Sequence, residues 1–290
     1  MNSATVTARF NRAAPVYERH AVVQEAMAGW LAEWLPPEIG TALEIGAGTG
    51  LFTRQLVGRI ESGERGAESR LSQAGLQPAE ISGSPLREKR DSAINTEPAA
   101  LRTSVGSRVG HIVATDAAPA MCAAGRAAVP AADWRTMRAE APLAGPWDRI
   151  FSSSLLQWAE EPAAVLRGWR DVLAPGGRVL AGLFAAGSLA ELAALGVAPP
   201  LVWRTPDAWR AALAGAGLQL CRDETDTRVF RSASALELFR QLHALGSAPV
   251  RRLSAGELRR LLAAYDARFG GPGGVRSAWT FYRFEAVRPA

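Results

Sequence analysis

Short apolar segments alternate with helix-like segments along most of the chain. The segments with strand character are residues 41–46, 110–116, 147–153, 177–184 and 218–223. Helices are predicted between them at residues 119–128, 162–173 and 206–216. Each of these helices carries proline at or near its first position, where the missing N–H costs nothing. This alternation predicts an α/β domain with a parallel sheet covered by helices on both faces.

The last apolar segment predicts a strand of a different kind. Residues 277–287 follow a Gly-rich turn, and no helix is predicted after them. An antiparallel edge strand fits this position. We therefore expect one domain over residues 1–290, with a mostly parallel sheet and one antiparallel edge strand.

A polar segment interrupts the alternation at residues 59–108. It is rich in Ser, Gly, Glu, Arg and Pro, and loops of this length are usually functional or disordered. We predict a disordered insertion that leaves from the face opposite the ligand crevice, with a partner-docking segment as the alternative. Deleting residues 63–104 is expected to leave the fold and ligand binding intact.

Two further helices are predicted at residues 232–246 and 254–269. The second begins with Ser254-Ala255-Gly256-Glu257, a capping box that satisfies two backbone donors at a helix start. Residues 232–270 could form a small helical cap over the carboxyl ends of the strands. Plain packing of these helices on the sheet is the alternative.

Composition excludes several classes of protein. Cys122, Cys221 and the three histidines are scattered, so neither a disulfide framework nor a metal centre is expected. No apolar segment approaches the ~20 residues of a membrane helix, and the N-terminus lacks signal-peptide features, so a cytoplasmic protein is expected. The net charge of +5 favours an acidic partner or reflects coding bias. Nucleic acid is not expected, because no basic cluster is interleaved with aromatic residues.

The most informative motif is Glu44-Ile45-Gly46-Ala47-Gly48-Thr49-Gly50, which turns a predicted strand sharply into a predicted helix. Positions without side chains let a ligand approach the backbone, and free N–H groups at a helix start favour anionic groups. Asp116 ends the second predicted strand, where an acid can accept hydrogen bonds from both ribose hydroxyls of an adenosine. Its usual distance from the glycine turn is about 20 residues, and the insertion accounts for the longer distance here.

Four motifs in order resemble those of class I S-adenosylmethionine-dependent methyltransferases. They are the glycine motif, Asp116-Ala117-Ala118-Pro119-Ala120-Met121, Asp148-Arg149-Ile150-Phe151-Ser152-Ser153-Ser154-Leu155-Leu156-Gln157-Trp158 and Leu173-Ala174-Pro175-Gly176-Gly177. The resemblance implies a Rossmann-like, seven-stranded sheet and S-adenosylmethionine as the cofactor. It also implies that Glu44 organises the ammonium of the cofactor and that Met121 packs on the adenine. The other cofactor-binding candidates are Gly46, Ala47, Gly48, Gly50, Asp116, Ala117, Glu140 and Ser153.

One position departs from the family pattern. The family usually places an acid after the third strand, facing the adenine amino group. Arg138 or Met137 stands there in this sequence, and Glu140 is the nearest substitute. Backbone carbonyls that accept the amino protons are the alternative.

Segments outside these motifs are similar to BioC-type malonyl-acyl-carrier-protein O-methyltransferases. They are residues 8–24, 155–158, 187–192, 242–246 and 276–282. The resemblance implies methylation of the free carboxylate of malonyl-acyl carrier protein or malonyl-CoA, an early step of biotin synthesis. The carrier protein of this family is acidic, so the resemblance implies that the arginine-rich surface binds it. A monomer is expected.

The expected reaction asks little of side chains, because a malonyl carboxylate is already ionised at neutral pH and needs no general base. Tyr17 and His20 are the candidates for closing the site, three positions apart on an N-terminal helix. The substrate-binding candidates are Gln157, Trp158, Arg240 and Arg276, with one of the arginines expected to pair with the substrate carboxylate.

Two other functions stay open. One is methylation of another small carboxylic acid, such as trans-aconitate. The other is a cofactor-binding assembly factor for respiratory complexes without transferase activity. Ser153 stands where many relatives have asparagine, which makes a loss of transfer activity conceivable.

Overall fold

The computed structural model of the protein describes residues 3–62, 110–198, 201–245 and 253–290. Residues 53–62 are helical, so the predicted insertion does not begin at residue 59. The remainder of that insertion, residues 63–108, lies outside the described residues, and its disorder and the effect of its deletion stay predictions. Within the described ranges, no helix is both long and apolar enough to cross a membrane.

Helices and strands alternate through most of the described chain. The helices are α1 (Ser3–Ala13), α2 (Tyr17–His20), α3 (Val22–Ala32), α4 (53–62), α5 (Pro119–Ala128), α6 (Pro162–Val172), α7 (Ala190–Ala194), α8 (Pro206–Gly215), α9 (Ala235–Ala244) and α10 (Ala255–Phe269). The strands are β1 (Thr41–Ile45), β2 (His111–Asp116), β3 (Asp133–Thr136), β4 (Trp147–Ser153), β5 (Leu173–Phe184), β6 (Gln219–Ser232), β7 (Gly270–Gly271) and β8 (Gly274–Val287). Short 3₁₀ turns occur at Ala14–Val16 and Leu156–Trp158. The helices predicted to begin with proline are confirmed, as is the capping box of α10.

All strands join one sheet, in the order β3-β2-β1-β4-β5-β8-β6, with the short β7 paired to β8. β1 to β5 pair in parallel, whereas β8 is antiparallel to its neighbours β5 and β6. The predicted Rossmann-like, mostly parallel sheet is confirmed. The last strand is antiparallel as expected, but it lies inside the sheet and β6 is the edge strand. The cause is visible in burial, because Phe281, Tyr282 and Phe284 of β8 are fully buried, whereas β6 is largely exposed.

The last two sheet strands are longer than the sequence pattern predicted. β6 and β8 continue to pair over residues 227–232 and 275–280, beyond the end of β5 at Phe184. The β6–β8 extension therefore projects past the carboxyl ends of the parallel strands. Helices α9 and α10 pack against it through a shared cluster that includes Leu238, Leu242 and Tyr265. The suggested cap is thus a helix pair mounted on this extension, and its role over the crevice stays a prediction.

Two features of the sheet were not anticipated from the sequence. β3 was missed because it has only four residues, of which Trp134 alone is buried. β5 begins directly at Leu173, opposite Trp147, and the next described pair joins Arg178 to Arg149. Residues 174–177 therefore bulge out of the β4–β5 ladder.

A buried arginine connects the end of α3 to the antiparallel strands β6 and β8. Arg283 of β8 is 4% exposed and pairs with Glu224 at 2.6 Å and with Glu33 at 3.0 Å. Its guanidinium also lies 4.0 Å and 4.3 Å from the ring centroids of Trp30 and Trp34. A buried cation is stable only when paired in this way. The arrangement fixes α3, whose first turn contributes to the site described below.

The chain ends that flank residues 63–109 lie close together. His111 donates its N–H to the carbonyl of Gly40 at 3.1 Å, which starts the β1–β2 ladder. A Cβ placed on Gly110 would lie 2.7 Å from Ile60 Cδ1, so the last described turn of α4 touches the start of β2. This junction lies at the end of the sheet opposite Asp116.

Candidate functional site

The glycine turn after β1 is tied to the neighbouring strand β2. The N–H groups of Gly46 and Ala47 both donate to the carbonyl of Thr115 at 2.8 Å. The Gly48 N–H donates to Asp116 Oδ2 at 3.0 Å. Two motifs that are far apart in sequence therefore form one rigid unit at the carboxyl ends of β1 and β2.

The glycines of this turn have different physical roles. Gly46, Gly48 and Gly50 have φ angles of +77°, +59° and +96°, which disfavour any residue with a Cβ. A Cβ on Gly46 would meet the Leu155 side chain at 2.8 Å, and one on Gly50 would meet Val129 at 3.0 Å. A Cβ on Gly48 would meet no protein atom within 4 Å. The open space above Gly48 is therefore space for a ligand.

That space belongs to a cavity of about 540 Å³, a size suited to a small-molecule cofactor. Its wall is built from α1 and α2, the glycine turn, the ends of β2 and β4, and residues after β3. Among the predicted site residues, those that line it are Tyr17, Glu44, Gly46, Ala47, Gly48, Asp116, Ala117, Met121, Glu140, Ser153 and Trp158.

The half-buried carboxylate of Asp116 keeps some hydrogen-bonding capacity. Its Oδ1 accepts the Ala118 N–H at 2.8 Å, and its Oδ2 accepts the Gly48 N–H. Burial raises the pKa of Asp116 to about 6, although these N–H groups favour the ionised form. Each oxygen can accept one further hydrogen bond, which suits a pair of hydroxyl groups.

Glu44 is the most strongly perturbed carboxyl group of the cavity. It is 1% exposed, and its Oε2 has no hydrogen-bond partner among the described residues. Burial, with a smaller contribution from the Asp116 carboxylate, raises the pKa of Glu44 to about 8. A buried carboxyl oxygen without a partner is costly. Glu44 is therefore suited to receive a cationic group from a ligand.

The N-terminal helices close one side of the cavity. Tyr17 makes an edge contact with Phe10, and Phe10 makes another with Trp158 after β4. Asn11 accepts the N–H of Ala120 at 3.0 Å, which joins α1 to the start of α5. Burial, and then the Asp116 charge, raise the pKa of Tyr17, so its hydroxyl stays protonated at neutral pH.

Some predicted site residues do not line this cavity. Gly50 packs against Trp134 and Val129, and His20 is absent from the cavity wall. Gln157 is buried and lines a smaller adjoining cavity.

The two arginine candidates are engaged elsewhere. Arg240 lies 4.0 Å from Glu237 on the exposed side of α9, and Arg276 lies 3.6 Å from Glu191 and over the Phe269 ring. Neither lines the cavity, so neither is placed to pair with a ligand carboxylate there.

The structure also adds residues that sequence reasoning did not assign. Met137 is buried and lines the same cavity as Met121, although it was considered only as a replacement for an acid. Arg138 lies 3.5 Å from Glu140, and both line the cavity. Gln24, at the start of α3, is 8% exposed and also lines the wall. No local motif marks Gln24, because only the packing of α3 brings it to the site.

Comparisons with known proteins agree with this geometry. A family model described as a methyltransferase domain matches residues 95–181, which include β2 to most of β5 but not the glycine turn. The fold is similar to that of a Bacillus halodurans C-125 protein assigned as a methyltransferase (TM-score 0.55, 12% identity, 91% of this chain and 100% of that chain). It is equally similar to the YcgJ protein of Bacillus subtilis (TM-score 0.55, 12% identity, 91% of this chain and 99% of that chain).

The chain has the Rossmann-like fold of class I methyltransferases, and residues 95–181 are similar to the methyltransferase family model. Among curated proteins it is similar to the biotin biosynthesis bifunctional protein BioHC of Cellvibrio japonicus (strain Ueda107), with 26% identity over 306 residues. The match covers 98% of this chain and 50% of BioHC, so the chain spans about half the length of that relative.

The described residues fit S-adenosylmethionine on structural grounds. Glu44 offers a buried, unpartnered oxygen to the ammonium of the cofactor. Asp116 can accept two ribose hydroxyls, and Gly48 leaves open space where the backbone must be approached closely. Met121 and Met137 can pack on the adenine with their polarisable thioethers.

Proposed function

We propose that this protein methylates the free carboxylate of a malonyl thioester, carried by acyl carrier protein or coenzyme A, in an early step of biotin synthesis. The similarity to BioHC over 98% of the chain carries this proposal. The cavity supports it, because it joins a cofactor site to a closed, aromatic wall formed by Phe10, Tyr17 and Trp158.

The reaction can proceed with few protein groups. When bound, S-adenosylmethionine would supply an electrophilic sulfonium methyl group for transfer to a carboxylate oxygen, with sulfur as the leaving group. The substrate carboxylate is ionised at neutral pH, so no proton is transferred. Glu44 and Asp116 hold the donor, and the aromatic wall excludes water and restricts the approach of the nucleophile. Tyr17 acts as a hydroxyl donor and not as a base, because its pKa is raised.

Charge in the cavity favours a substrate with one negative charge. The acidic and basic side chains that line the cavity are the carboxyl groups of Glu44, Asp116, Glu140, Glu160 and Glu161 and the guanidinium of Arg138. Such an acidic wall disfavours ligands with two or three carboxylates. A malonyl thioester carries one, because its second carboxyl group is tied to sulfur. Free dicarboxylic and tricarboxylic acids are therefore the less favoured substrates.

The surface next to the cavity suits an acidic carrier. The N-terminal segment that forms one wall also exposes Arg12 and Arg19, and the whole chain has a net charge of +5. Opposite charges steer association and raise its rate. We expect methyl transfer to the acyl carrier protein to depend more strongly on salt than transfer to malonyl-CoA.

Substrate choice is tested by measuring transfer of a radiolabelled methyl group to malonyl-acyl carrier protein, malonyl-CoA, malonate and trans-aconitate. We expect transfer to at least one malonyl thioester and at least about tenfold lower kcat/KM for the free acids. Methylation of free acids alone would reject the proposal. As a second measurement, the gene should restore growth of a biotin auxotroph that lacks this step. Failure with soluble, cofactor-binding protein would favour an assembly factor.

A further inference from the structure

A second cavity, the inner pocket, adjoins the cofactor cavity. It measures about 10 Å³ and shares Phe10, Tyr17, Gln24, Ser154 and Trp158 with the larger cavity. Besides Tyr17, its polar side chains include Gln24, Ser154, Gln157 and Trp203, and the rings of Phe184 and Trp279 lie beside them. This volume is close to the minimum that holds one water molecule. The inner pocket can therefore receive a single oxygen atom of a ligand, entering from the larger cavity.

Four polar atoms at the inner pocket are buried without a hydrogen-bond partner among the described residues. They are Gln24 Oε1, Ser154 Oγ, Gln157 Oε1 and Trp203 Nε1. Leaving a buried polar group unpaired is unfavourable, and native structures contain few such groups. Two of the four, the Trp203 indole N–H and the Ser154 hydroxyl, can donate hydrogen bonds, which indicates that a ligand oxygen in the pocket accepts them.

The local backbone holds two of these groups in place. Ser154 has a φ angle of +58°, which is unfavourable for a residue with a side chain. Its N–H donates to Gly182 at 2.8 Å, and its carbonyl accepts Gln157 Nε2 at 2.7 Å. Strained residues that the surrounding structure fixes in this way are frequent at ligand sites. Ser154 is thus a positioned group at the end of β4.

Among the described residues, the wall of the inner pocket carries no permanently charged side chain. Tyr17 is the titratable residue in this part of the described chain, and the other polar groups are amides, a hydroxyl and indole N–H groups. Neutral donors can orient a carboxylate oxygen without neutralising the charge that makes it a nucleophile. An arginine would bind the anion more tightly and weaken its attack. A carboxylate bound in this way needs no arginine, which agrees with the pairing of Arg240 with Glu237 and of Arg276 with Glu191.

We infer that the inner pocket binds one oxygen of the substrate carboxylate, with the Trp203 indole N–H and the Ser154 hydroxyl as donors. The second oxygen is then left toward the larger cavity, where the methyl group is delivered. The inference rests on the proposed function, because it requires a carboxylate as the methyl acceptor. It makes Trp203 and Ser154 the residues that position the nucleophile, and Gln157, which donates to the Ser154 carbonyl, helps to hold Ser154 in place.

The test compares Trp203→Phe and Ser154→Ala with the matched control Trp209→Phe. The indole N–H of Trp209 is also buried without a partner among the described residues, but Trp209 packs in the core beside Leu213 and lines neither cavity. The substrate is the malonyl thioester that the wild-type protein methylates faster. Two quantities are measured besides kcat and KM. They are the Kd of S-adenosylhomocysteine, and the Kd of the thioester for the S-adenosylhomocysteine-loaded protein, both by calorimetry.

We expect Trp203→Phe and Ser154→Ala each to lower kcat/KM and weaken thioester binding by about tenfold. Their affinity for S-adenosylhomocysteine should stay within about twofold of wild type, as should every constant of Trp209→Phe. Folded variants with unchanged thioester binding and kcat/KM would overturn the inner-pocket assignment alone. If Trp203→Phe does not fold, Ser154→Ala decides. A wild-type protein inactive toward all malonyl thioesters would overturn the proposed function and this assignment together.

Discussion

Replacing Gly48 with valine is expected to abolish binding of S-adenosylmethionine. The Cβ at this position points into open cavity space, so the added isopropyl group would occupy the place of the ligand and not clash with protein. The Gly48 N–H also binds Asp116 at 3.0 Å, and a shifted turn would disturb the ribose-binding carboxylate. We expect Kd for S-adenosylhomocysteine to rise at least about 100-fold, equivalent to about 3 kcal/mol of binding free energy. Isothermal titration calorimetry measures this directly.

Gly176→Val is the matched control for backbone strain. Gly176 has a φ of +75° and open space around its Cβ position, and it is exposed in the bulge of β5. A β-branched residue is unfavourable at either position because of the positive φ. Both variants should therefore lose similar thermal stability, but only Gly48→Val should lose the ligand. Equal affinities of the two variants would show that the cavity above Gly48 is not the cofactor site.

Replacing Glu44 with glutamine is expected to weaken cofactor binding and to remove most of its dependence on pH. The pKa of Glu44 is raised to about 8 without ligand, so the group is largely protonated at pH 7. A cofactor ammonium favours the ionised form, and binding should therefore release a proton. Affinity of the wild type should rise between pH 6.5 and 8, by up to about tenfold per pH unit. Calorimetry in buffers of different ionisation enthalpy counts the released protons, and Glu44→Gln should release fewer.

The same substitution should stabilise the unliganded protein at alkaline pH. In the unfolded chain Glu44 titrates at its ordinary pKa of 4.5, and in the folded chain at about 8. Between these values the folded state keeps a proton that the unfolded state has lost, so stability falls as pH rises. The free energy of unfolding falls by on the order of 4 kcal/mol by pH 8. Glutamine has no titrating carboxyl group, so the Glu44→Gln variant avoids this loss. Urea unfolding at pH 5 and pH 8 should show a smaller decrease for Glu44→Gln. An equal decrease would mean that Glu44 does not titrate abnormally.

The parts of the site that follow one another in sequence could be predicted, because local chemistry determines them. A strand, a glycine turn and a helix specify where a cofactor approaches the backbone, and Asp116 ends a strand whose neighbour could be inferred. The capping box of α10 is local in the same sense. These signals need no knowledge of how distant segments pack.

The remaining parts depend on tertiary packing. Gln24 reaches the cavity because Arg283 fixes α3 to the sheet edge, and Trp203 reaches the inner pocket from a loop before α8. Neither residue stands in a local motif. Arg240 and Arg276 lie away from the cavity for a related reason, since sequence shows the charge of a side chain but not the direction in which it points. The order of the strands could not be predicted from the hydrophobic pattern either. The sequence of β8 is compatible with an edge strand, and only its burial on both faces shows that it lies inside the sheet.

The junction of Ile60 with Gly110 has a consequence for engineering the protein. Two chain ends held side by side can be bridged by a segment of almost any length, since the entropy of closing a loop grows only with the logarithm of its length. The junction lies at the far end of the sheet from Asp116, so foreign sequence placed there would leave the methyl-donor cavity undisturbed. A sensor domain could be grafted at this point, or the chain could be divided there into two fragments that reassemble.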